Sequence, residues 1–475
     1  MNDVIDWNFP MFPNDLLDNS LQAPSVASDT LAASQSPLAT FHRFRHFSDL
    51  DTSRPPSPRA VSARPDFASR PIAGSKVIEE GVDNRAVLDT LISLFEINVA
   101  PWLEALSDQI TISSVTPPEW FTAVAAVGGL FSRSPGAMTI SKWLYNNARY
   151  RVLAYTGTTP HSTMSIQDQA FVLETWILLI LFGYLAGDKR IYEITEVSHC
   201  KTMELGKTYV QNLPAGEHKR KVAVLRTLLL LDCYRVVVSQ RPAVLDPFQS
   251  EEVNSTVAQM RGQINQVLAN PALDESGSLE TLCRLSLITW NVVPSYAGQV
   301  NQLWSIDYMA IALDQWIQPR SDTISDATML LFHIIHVNMF MCIPALQRRI
   351  ASLCKCESRS VQLNATDMTD VFPSEERRIR AIWHSQQCVT TASNLQNTNA
   401  SSMAKPNART WVPLIYSYAV CTSVMALWFD ARLNGDATLA NERLQTGLEL
   451  FQSLPFEARI TVICRKVLSD LATLA

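Results

Sequence analysis

From about Asp83 to the C-terminus, apolar residues recur at helical spacing, and this pattern constrains the fold more than any other feature. Its first run places apolar side chains at i, i+3 and i+4 intervals, at Val87, Leu88, Leu91, Leu94 and Phe95. Similar blocks follow to the end of the chain, joined by connections rich in Pro and Gly. Clear two-residue alternation with hairpin turns is missing, and only 15 of 475 residues are glycine. The sequence therefore predicts an all-α fold of about a dozen helices, with no fixed repeat.

Two details of this prediction can be compared directly with a structure. The apolar run at 326–353 reads as one block, interrupted only by polar residues such as His333 and His336. The polar stretches 355–372 and 394–409 interrupt the helical pattern, and they are predicted to be surface loops. The most apolar runs, 170–187 and 328–346, contain polar interruptions, so we interpret them as buried core helices and not as membrane spans.

Residues 1–82 have a different composition from the rest of the chain. The first 75 residues hold nine of the 25 prolines and eleven serines, with no lysine, no glutamate and one glycine. Such a composition is typical of chains that bury too little apolar surface to fold alone. We predict a disordered segment over 1–82 and a large multi-helix domain over 83–475.

The first 20 residues alternate acidic and apolar side chains. Four aspartates interleave with Trp7, Phe9, Phe12, Leu16 and Leu17, and no lysine or arginine occurs before Arg43. This alternation is typical of an amphipathic activation segment, in which the acids keep the aromatics in solution until a partner's groove accepts them. The alternative is an ordinary disordered terminus with a few aromatic residues.

Residues 41–70 are basic, with six arginines against three aspartates and with Phe41, Phe44 and Phe47 interleaved. Basic residues with aromatics can bind nucleic acid or an import receptor, whereas spaced charges are also typical of a solvated linker. The whole chain has a net charge of −6, which argues against a simple electrostatic DNA clamp.

Motifs that carry catalytic or metal chemistry are missing from the sequence. There is no nucleotide-binding glycine loop, no H-E-x-x-H and no G-x-S-x-G. The nine cysteines begin at Cys200 and include no CxxC pair, and Cys354 and Cys356 are spaced too closely for the usual zinc pair. His333 and His336 share one helix face, and we interpret them as hydrogen-bonded core residues. We therefore predict no metal, no cofactor and no enzyme activity.

The stretch 217–247 is the most informative part of the helical region. From Val222 to Cys233 it is apolar nearly all round, which predicts a central core helix with Asp232 embedded in it. A buried carboxylate needs a partner, and we expect that partner to be one of three arginines in the same stretch, Arg226, Arg235 or Arg241.

This stretch resembles the fungal-specific transcription factor domain, the long helical region of fungal C2H2 or zinc-cluster transcription factors. The matching residues, which we term the motif residues, are Glu217, Arg220, Asp232, Arg241 and Pro242, together with Leu231 and the apolar residues that follow the Arg-Pro pair. Further segments similar to the family lie at 174–190, 330–346 and 411–433. The resemblance covers roughly 83–475. It implies a nuclear transcription regulator that controls a metabolic pathway or a secondary-metabolite gene cluster.

Such proteins usually carry a zinc module before this region, but here no cysteine precedes Cys200. We therefore expect DNA contact only indirectly, or through a zinc module that is missing or is supplied by a partner. The expected partners are a coactivator or the transcription machinery and, in a homodimer, a second copy; a membrane is not among them. The alternatives are a helical adaptor that does not bind DNA and, as the weaker reading, an intracellular enzyme.

Overall fold

The computed structural model describes residues 84–100, 103, 117–134, 136–159, 163–245, 262, 264–265, 268, 275–289, 306–318, 324–355, 365–401, 413–454 and 458–473. These residues form fifteen helices and no strand, so the predicted all-α fold is confirmed. The helices are α1 (Asn84–Asn98), α2 (Pro118–Gly129), α3 (Ala137–Thr158), α4 (Ile166–Leu185), α5 (Lys189–Asn212), α6 (His218–Val237), α7 (Glu275–Thr289), α8 (Ile306–Ile317), α9 (Asp326–Phe340), α10 (Ile343–Lys355), α11 (Ala365–Val371), α12 (Glu375–Ser401), α13 (Pro413–Leu433), α14 (Ala437–Gln452) and α15 (Arg459–Ala472).

Several helices begin at residues whose chemistry favours a start. α2 has Pro118 in its first turn, where a missing N–H costs nothing, followed by Glu119 near the positive end of the helix dipole. Ser165 caps α4 by accepting a hydrogen bond from the Asp168 N–H at 3.1 Å. Asp188 caps α5 in the same way, with the Ile191 N–H at 3.1 Å. These contacts satisfy N–H groups that the first turn of a helix leaves unpaired.

The helices pack in two groups that follow the order of the chain. In the N-terminal group, α1 packs on α2, α2 on α3 and α4, α4 on α5, and α5 on α6. In the C-terminal group, α9 packs on α12 and α13, and α13 packs on α14 and α15. α7 lies between the groups, against α6 on one side and α8 and α9 on the other. Weaker contacts between α6 and α9 and between α4 and α13 also join them.

α4 is the central helix of the N-terminal group. Of the described helices it alone is long and apolar enough to span a membrane by length and composition, and 94% of the tested window is buried inside the protein. Core helices share that length and composition, so the observation agrees with the predicted core helix. Gly183 allows α5 to approach closely, because a Cβ atom there would lie 1.8 Å from Thr195 Oγ1.

Three local predictions were wrong. The run 326–353 is not one helix: α9 and the helix after it meet at an angle of 82°. In a continuous helix Pro344 would have no N–H to donate to Phe340 and its ring would clash with the Phe340 carbonyl, and the Cys342 N–H bonds instead to the Val371 carbonyl at 2.9 Å. The predicted loop 355–372 contains α11, and α12 extends to Ser401 into the predicted loop 394–409.

The segment 1–82, which the sequence predicts to be disordered, lies outside the described residues. The same holds for Trp7, Phe9, Phe12, Leu16 and Leu17. The helical domain begins, in the described part of the chain, with α1 at Asn84.

Candidate functional site

The motif residues lie at the two ends and in the middle of α6. Glu217 immediately precedes the helix, and its side chain makes no capping hydrogen bond. Arg220 lies in the first turn, Asp232 lies in the buried half, and Arg241 and Pro242 follow the C-terminal end. The chain turns there through Gln240, whose φ of 52° is left-handed and unusual for a residue with a Cβ. α6 thus presents two of the motif residues to its neighbours: Arg220 faces α4, and Asp232 faces α5 and the turn after α6.

Asp232 is fully buried and its carboxylate is hydrogen-bonded on both oxygens. Oδ1 lies 3.0 Å from Nε2 of His199 on α5, a residue that is also fully buried. Oδ2 accepts from the backbone N–H groups of Val244 and Leu245, at 2.8 and 2.7 Å. The expectation of an arginine partner was therefore wrong: the direct partners are an imidazole and two backbone amides.

Two of the three proposed arginines bind other carboxylates. Arg226 Nε donates to Glu280 Oε2 on α7 at 3.0 Å, and Arg235 Nε donates to Glu196 Oε2 on α5 at 3.0 Å. Arg235 also donates to the Pro242 carbonyl oxygen. Both guanidinium groups lie partly exposed at the edges of helix packing, where water can complete their hydrogen bonds. Neither forms a hydrogen bond or an ion pair with Asp232, although Arg235 lies near enough for its charge to interact with that carboxylate.

Arg241 contributes through its backbone, because its N–H donates to the Arg235 carbonyl at 3.2 Å. With the Arg235 contact to Pro242, this bond closes the turn after α6 onto the last turn of the helix. The Arg-Pro pair of the motif residues therefore lies in a turn that two side chains of α6 stabilise. Arg235 donates to the Pro242 carbonyl, and Asp232 accepts from the N–H groups of Val244 and Leu245.

The network continues from His199 to Tyr184 on α4, whose hydroxyl lies 3.1 Å from His199 Nδ1. Because Asp232 can only accept when ionised, the ring donates from Nε2 and, when neutral, accepts at Nδ1 from the tyrosine. Burial, together with the nearby Glu196 carboxylate, raises the pKa of Tyr184 well above its usual value. The phenol therefore keeps its proton and acts as the donor.

The order Tyr184, His199, Asp232 is similar to the hydrogen-bonded chains that orient catalytic histidines. Catalysis also needs an atom that a substrate can reach. Here both imidazole nitrogens and both carboxylate oxygens are occupied, and His199 and Asp232 are fully buried. The arrangement can join α4, α5, α6 and the turn after α6, and that structural role is the one its geometry supports.

A second buried carboxylate joins the first turn of α6 to α2 and α4. Glu174 Oε1 lies 3.1 Å from a guanidinium nitrogen of Arg220, and Glu174 Oε2 accepts from the Trp120 indole N–H at 2.9 Å. Burial raises the pKa of Glu174 to about 8, although Arg220 and the indole N–H both act to lower it. The Arg220 guanidinium also lies 5.9 Å from the centre of the Tyr209 ring. Arg220 is therefore another residue whose contacts fix helix packing.

Three histidines form a third buried cluster between α9 and α12. His333 and His384 face each other through their Nδ1 atoms at 3.1 Å, and the His336 and His384 rings stack with centres 4.1 Å apart. His336 Nδ1 lies 3.0 Å from the Phe332 carbonyl oxygen, to which it donates. Burial lowers the pKa of His333 to about 3 and lowers that of His384 further. The pair at 333 and 336 is hydrogen-bonded in the core, as predicted from the sequence.

Although the three histidines are in contact, they are not arranged as the ligands of a metal ion. In the described ranges, no three or more His, Cys, Asp or Glu side chains come together as the ligands of a metal ion would. The free thiols there include five that are buried, Cys233, Cys283, Cys388, Cys421 and Cys464.

Comparisons of the chain with protein-family models, with curated proteins and with solved structures found no match. The resemblance to the fungal-specific transcription factor domain stays a prediction that rests on the motif residues.

The sequence reasoning missed His199, Tyr184 and His384. His199 and Asp232 lie 33 positions apart, and His333 and His384 lie 51 positions apart. One signal was available: His199 is a polar residue on the inward face of α5, between Tyr192 and Met203 at helical spacing. That signal predicts burial, which in turn requires a hydrogen-bond partner, but it does not identify the partner.

Proposed function

We propose that this protein is a nuclear transcription regulator in which an acidic-aromatic segment at residues 1–20 recruits a coactivator or the transcription machinery. The composition of that segment carries the proposal: four aspartates, no lysine or arginine, and the apolar set Trp7, Phe9, Phe12, Leu16 and Leu17. Acidic residues keep such a segment in solution, and its aromatic side chains supply the buried contacts when a partner's groove accepts it.

The helical domain is the regulatory body in this proposal. The buried polar clusters around α6 support that role because their hydrogen bonds join neighbouring helices. Asp232 and His199 use their hydrogen-bonding atoms on neighbouring helices and on the turn after α6. Glu174 and Arg220 likewise join three helices. In this proposal the helical domain positions the activation segment and its partners. The genes that it controls would be those of a metabolic pathway or a secondary-metabolite cluster, as the resemblance implies.

A reporter fusion tests the activation segment directly. Residues 1–40, joined to a heterologous DNA-binding domain, should activate transcription of a reporter gene. Replacing Trp7, Phe9 and Phe12 with alanine should remove most of that activity, because the aromatic contacts provide the binding free energy. Residues 41–82 in the same fusion provide a control of similar length with opposite charge. Full activity in the triple-alanine fusion, or no activity from residues 1–40, would contradict the proposal.

A second candidate function is a helical adaptor that reaches DNA only through a partner. The observation that favours it is that the sequence has no cysteine before Cys200, whereas members of the family that it resembles usually carry a zinc module before the helical region. The purified chain should then bind DNA weakly, without sequence preference and with strong salt dependence. Tight, sequence-specific binding by this chain alone would rule out the adaptor.

A further inference from the structure

Exposed apolar side chains lie where α8 and α12 pack on α9. Ile311 on α8 is 55% exposed, and Ile379 and Trp383, one turn apart on α12, are 60% and 54% exposed. Tryptophan is highly buried on average, and it is enriched among the residues that dominate the energetics of protein interfaces. An exposed tryptophan close to two exposed isoleucines therefore indicates a surface that binds a partner.

The α8 part of this surface is acidic. Asp307, Ile311 and Asp314 share one face of α8, because positions three, four and seven apart point in similar directions. The two aspartate side chains are 75% and 59% exposed, and α8 contains no basic residue. We define the α8–α12 surface as Asp307, Ile311, Asp314, Ile379 and Trp383.

Ion-pair and ring contacts bring the two helices of this surface together. Near the start of α8, Asp307 lies 3.7 Å from Arg380 of α12. Further along α8, Asp314 lies 3.5 Å from His336 of α9, which stacks on His384 of α12 with ring centres 4.1 Å apart. The His384 ring in turn lies 4.7 Å from the ring of the tryptophan that precedes it. The acids of α8 and the exposed apolar side chains of α12 are thus neighbours.

An excess of negative charge remains on and beside the α8–α12 surface. Glu376 and Asp307 share one cation, Arg380, which lies 2.8 Å from the glutamate. Even with Arg377 counted, which adjoins Glu376 in the sequence, three carboxylates are set against two guanidinium groups. The third carboxylate is that of Asp314, which lies seven positions along α8 from the aspartate that Arg380 reaches. Asp314 is therefore the carboxylate that most lacks a cation.

His336 does not supply the missing donor while its ring is neutral. Its Nδ1 donates to the Phe332 carbonyl oxygen at 3.0 Å. Nε2 of the neutral ring is then an acceptor, and no described residue donates a hydrogen bond to it. This nitrogen faces Oδ1 of Asp314, and two acceptors cannot satisfy each other. The exposed carboxylate of Asp314 remains open to a donor from outside the chain.

We propose that the α8–α12 surface binds a segment of a partner protein that presents arginine next to an aromatic or leucine side chain. A guanidinium group can form two parallel hydrogen bonds with the Asp314 carboxylate and can also stack on the exposed ring of Trp383. Lysine lacks the planar fork that permits both contacts. The apolar neighbour of the arginine would cover the two exposed isoleucines.

Charge argues against two other occupants. A second copy of the chain, placed on a two-fold axis here, would bring the same aspartates face to face. The acidic segment at residues 1–20 would be repelled by Asp307 and Asp314 in the same way. The inference goes beyond the proposed function and does not depend on the activation role of that segment.

A direct binding measurement tests this proposal without any transcription. The probe is the fluorescein-labelled synthetic peptide GSRFLRSLFRSG, titrated with the full-length chain at pH 8, where imidazole groups favour the neutral form. We expect saturable binding by fluorescence anisotropy that weakens as salt is raised. The peptide with lysine in place of each arginine should bind more weakly, and the peptide with glutamate there should not bind. Equal binding of all three peptides would overturn the proposal.

Variants of the α8–α12 surface separate charge from apolar contact. Asp314→Asn should weaken binding roughly tenfold, because it replaces a charge-assisted hydrogen bond with a neutral one. Trp383→Ser should weaken it at least about tenfold, as expected for an interface tryptophan. Ile379→Ser is the second apolar variant, because its side chain is more exposed and its loss perturbs the fold less. Circular dichroism and the thermal midpoint verify that each variant is folded.

The matched controls lie on α5, which packs on α4 and α6. Glu204→Gln removes an exposed carboxylate there, and Val197→Ser removes an apolar side chain that is 82% exposed. Both controls should bind the probe with wild-type affinity. Unchanged affinity in Asp314→Asn, or in both apolar variants, would overturn the proposed site.

Two further measurements decide between occupants. Residues 41–47 of this chain also interleave arginine with phenylalanine, so the double variant Arg43→Ala/Arg45→Ala is titrated with the same probe. Equal affinity supports a partner protein, whereas tighter binding would assign the surface to the chain's own segment and overturn the proposal. Sedimentation velocity then examines self-association. A dimer that Trp383→Ser dissociates would assign the surface to a second copy and would likewise overturn it.

Discussion

Asp232 shows how one buried residue can hold several elements together. Its carboxylate accepts hydrogen bonds from His199 on α5 and from the backbone N–H groups of Val244 and Leu245 in the turn after α6. Removing one member of such a network leaves the others buried without partners, and that loss costs more than the bonds themselves contribute.

We therefore expect Asp232→Ala to lower the free energy of unfolding by about 3–5 kcal/mol. Asp232→Asn should cost less, about 1–3 kcal/mol, because the amide oxygen still accepts while its NH2 group opposes a donor. Urea unfolding followed by circular dichroism measures both changes. Glu204→Ala, at an exposed position of α5, should change stability by less than about 0.5 kcal/mol. An Asp232→Ala variant as stable as that control would show that the network contributes little.

The sequence predicted that Asp232 is buried and paired, but it did not identify the partner. Burial follows from the apolar residues around it on α6, which is local information. The choice between an arginine three positions away and His199, 33 positions away, depends on how α5 rotates against α6. That orientation is set by the packing of both helices, so the spacing of apolar residues along α6 alone does not predict it.

At the scale of elements, the histidine cluster makes the contact between α9 and α12 sensitive to acid. In the folded protein the pKa of His333 is about 3 and that of His384 is also lowered, both mainly by burial. In the unfolded chain both groups titrate near their usual value of about 6.5. As the pH falls below that value, both histidines become protonated in the unfolded chain but stay neutral in the folded protein. Stability is thus complete above about pH 6.5 and is lost progressively toward pH 3.

Between pH 7 and pH 5, we expect this effect to cost about 2 kcal/mol for each of the two histidines. The double variant His333→Leu/His384→Leu removes both partners of the Nδ1 contact, so that neither is left unpaired. It should lose much less stability than the wild type over the same pH interval, whatever its stability at pH 7. Urea unfolding at the two pH values measures the difference. His218→Gln, at the exposed start of α6, should keep the wild-type dependence; equal pH dependence in all three proteins would disprove the assignment.

The helices themselves were largely predictable, and the failures have local causes. Apolar periodicity predicted the long helices because each buries one face or, like α4, its whole circumference. α11 was missed because its seven residues are too short to establish a period. The break between α9 and α10 was missed because the apolar run continues across it, although Pro344 offered a signal.

At the scale of the whole molecule, the sequence predicted the fold class but not which helices meet. All-α character follows from periodicity and scarce glycine, whereas pairing depends on long-range contacts such as those between α9 and α12. The same limit applies to the site. The motif residues could be found by their pattern, but their role in joining helices became visible only with His199, Glu174 and Tyr184 beside them.

One buried side chain joins the two groups of helices. Asn338 on α9 donates from Nδ2 to the Val237 carbonyl of α6 at 2.8 Å, and its Oδ1 accepts from the Tyr418 hydroxyl of α13 at 3.2 Å. Asn338→Ala should cost about 1–3 kcal/mol because it removes two buried hydrogen bonds, although the Val237 carbonyl keeps the bond that it accepts from Gln240. Since the partners lie in different groups, we expect faster amide hydrogen exchange in α6 and in α13 together, which mass spectrometry can resolve by segment.

The control is Gln396→Ala. The bonds of Gln396 reach Tyr416 and Leu450 within the C-terminal group, so this change should affect only that group. If the exchange changes caused by Asn338→Ala stay within α9, the two groups are stabilised independently of this contact.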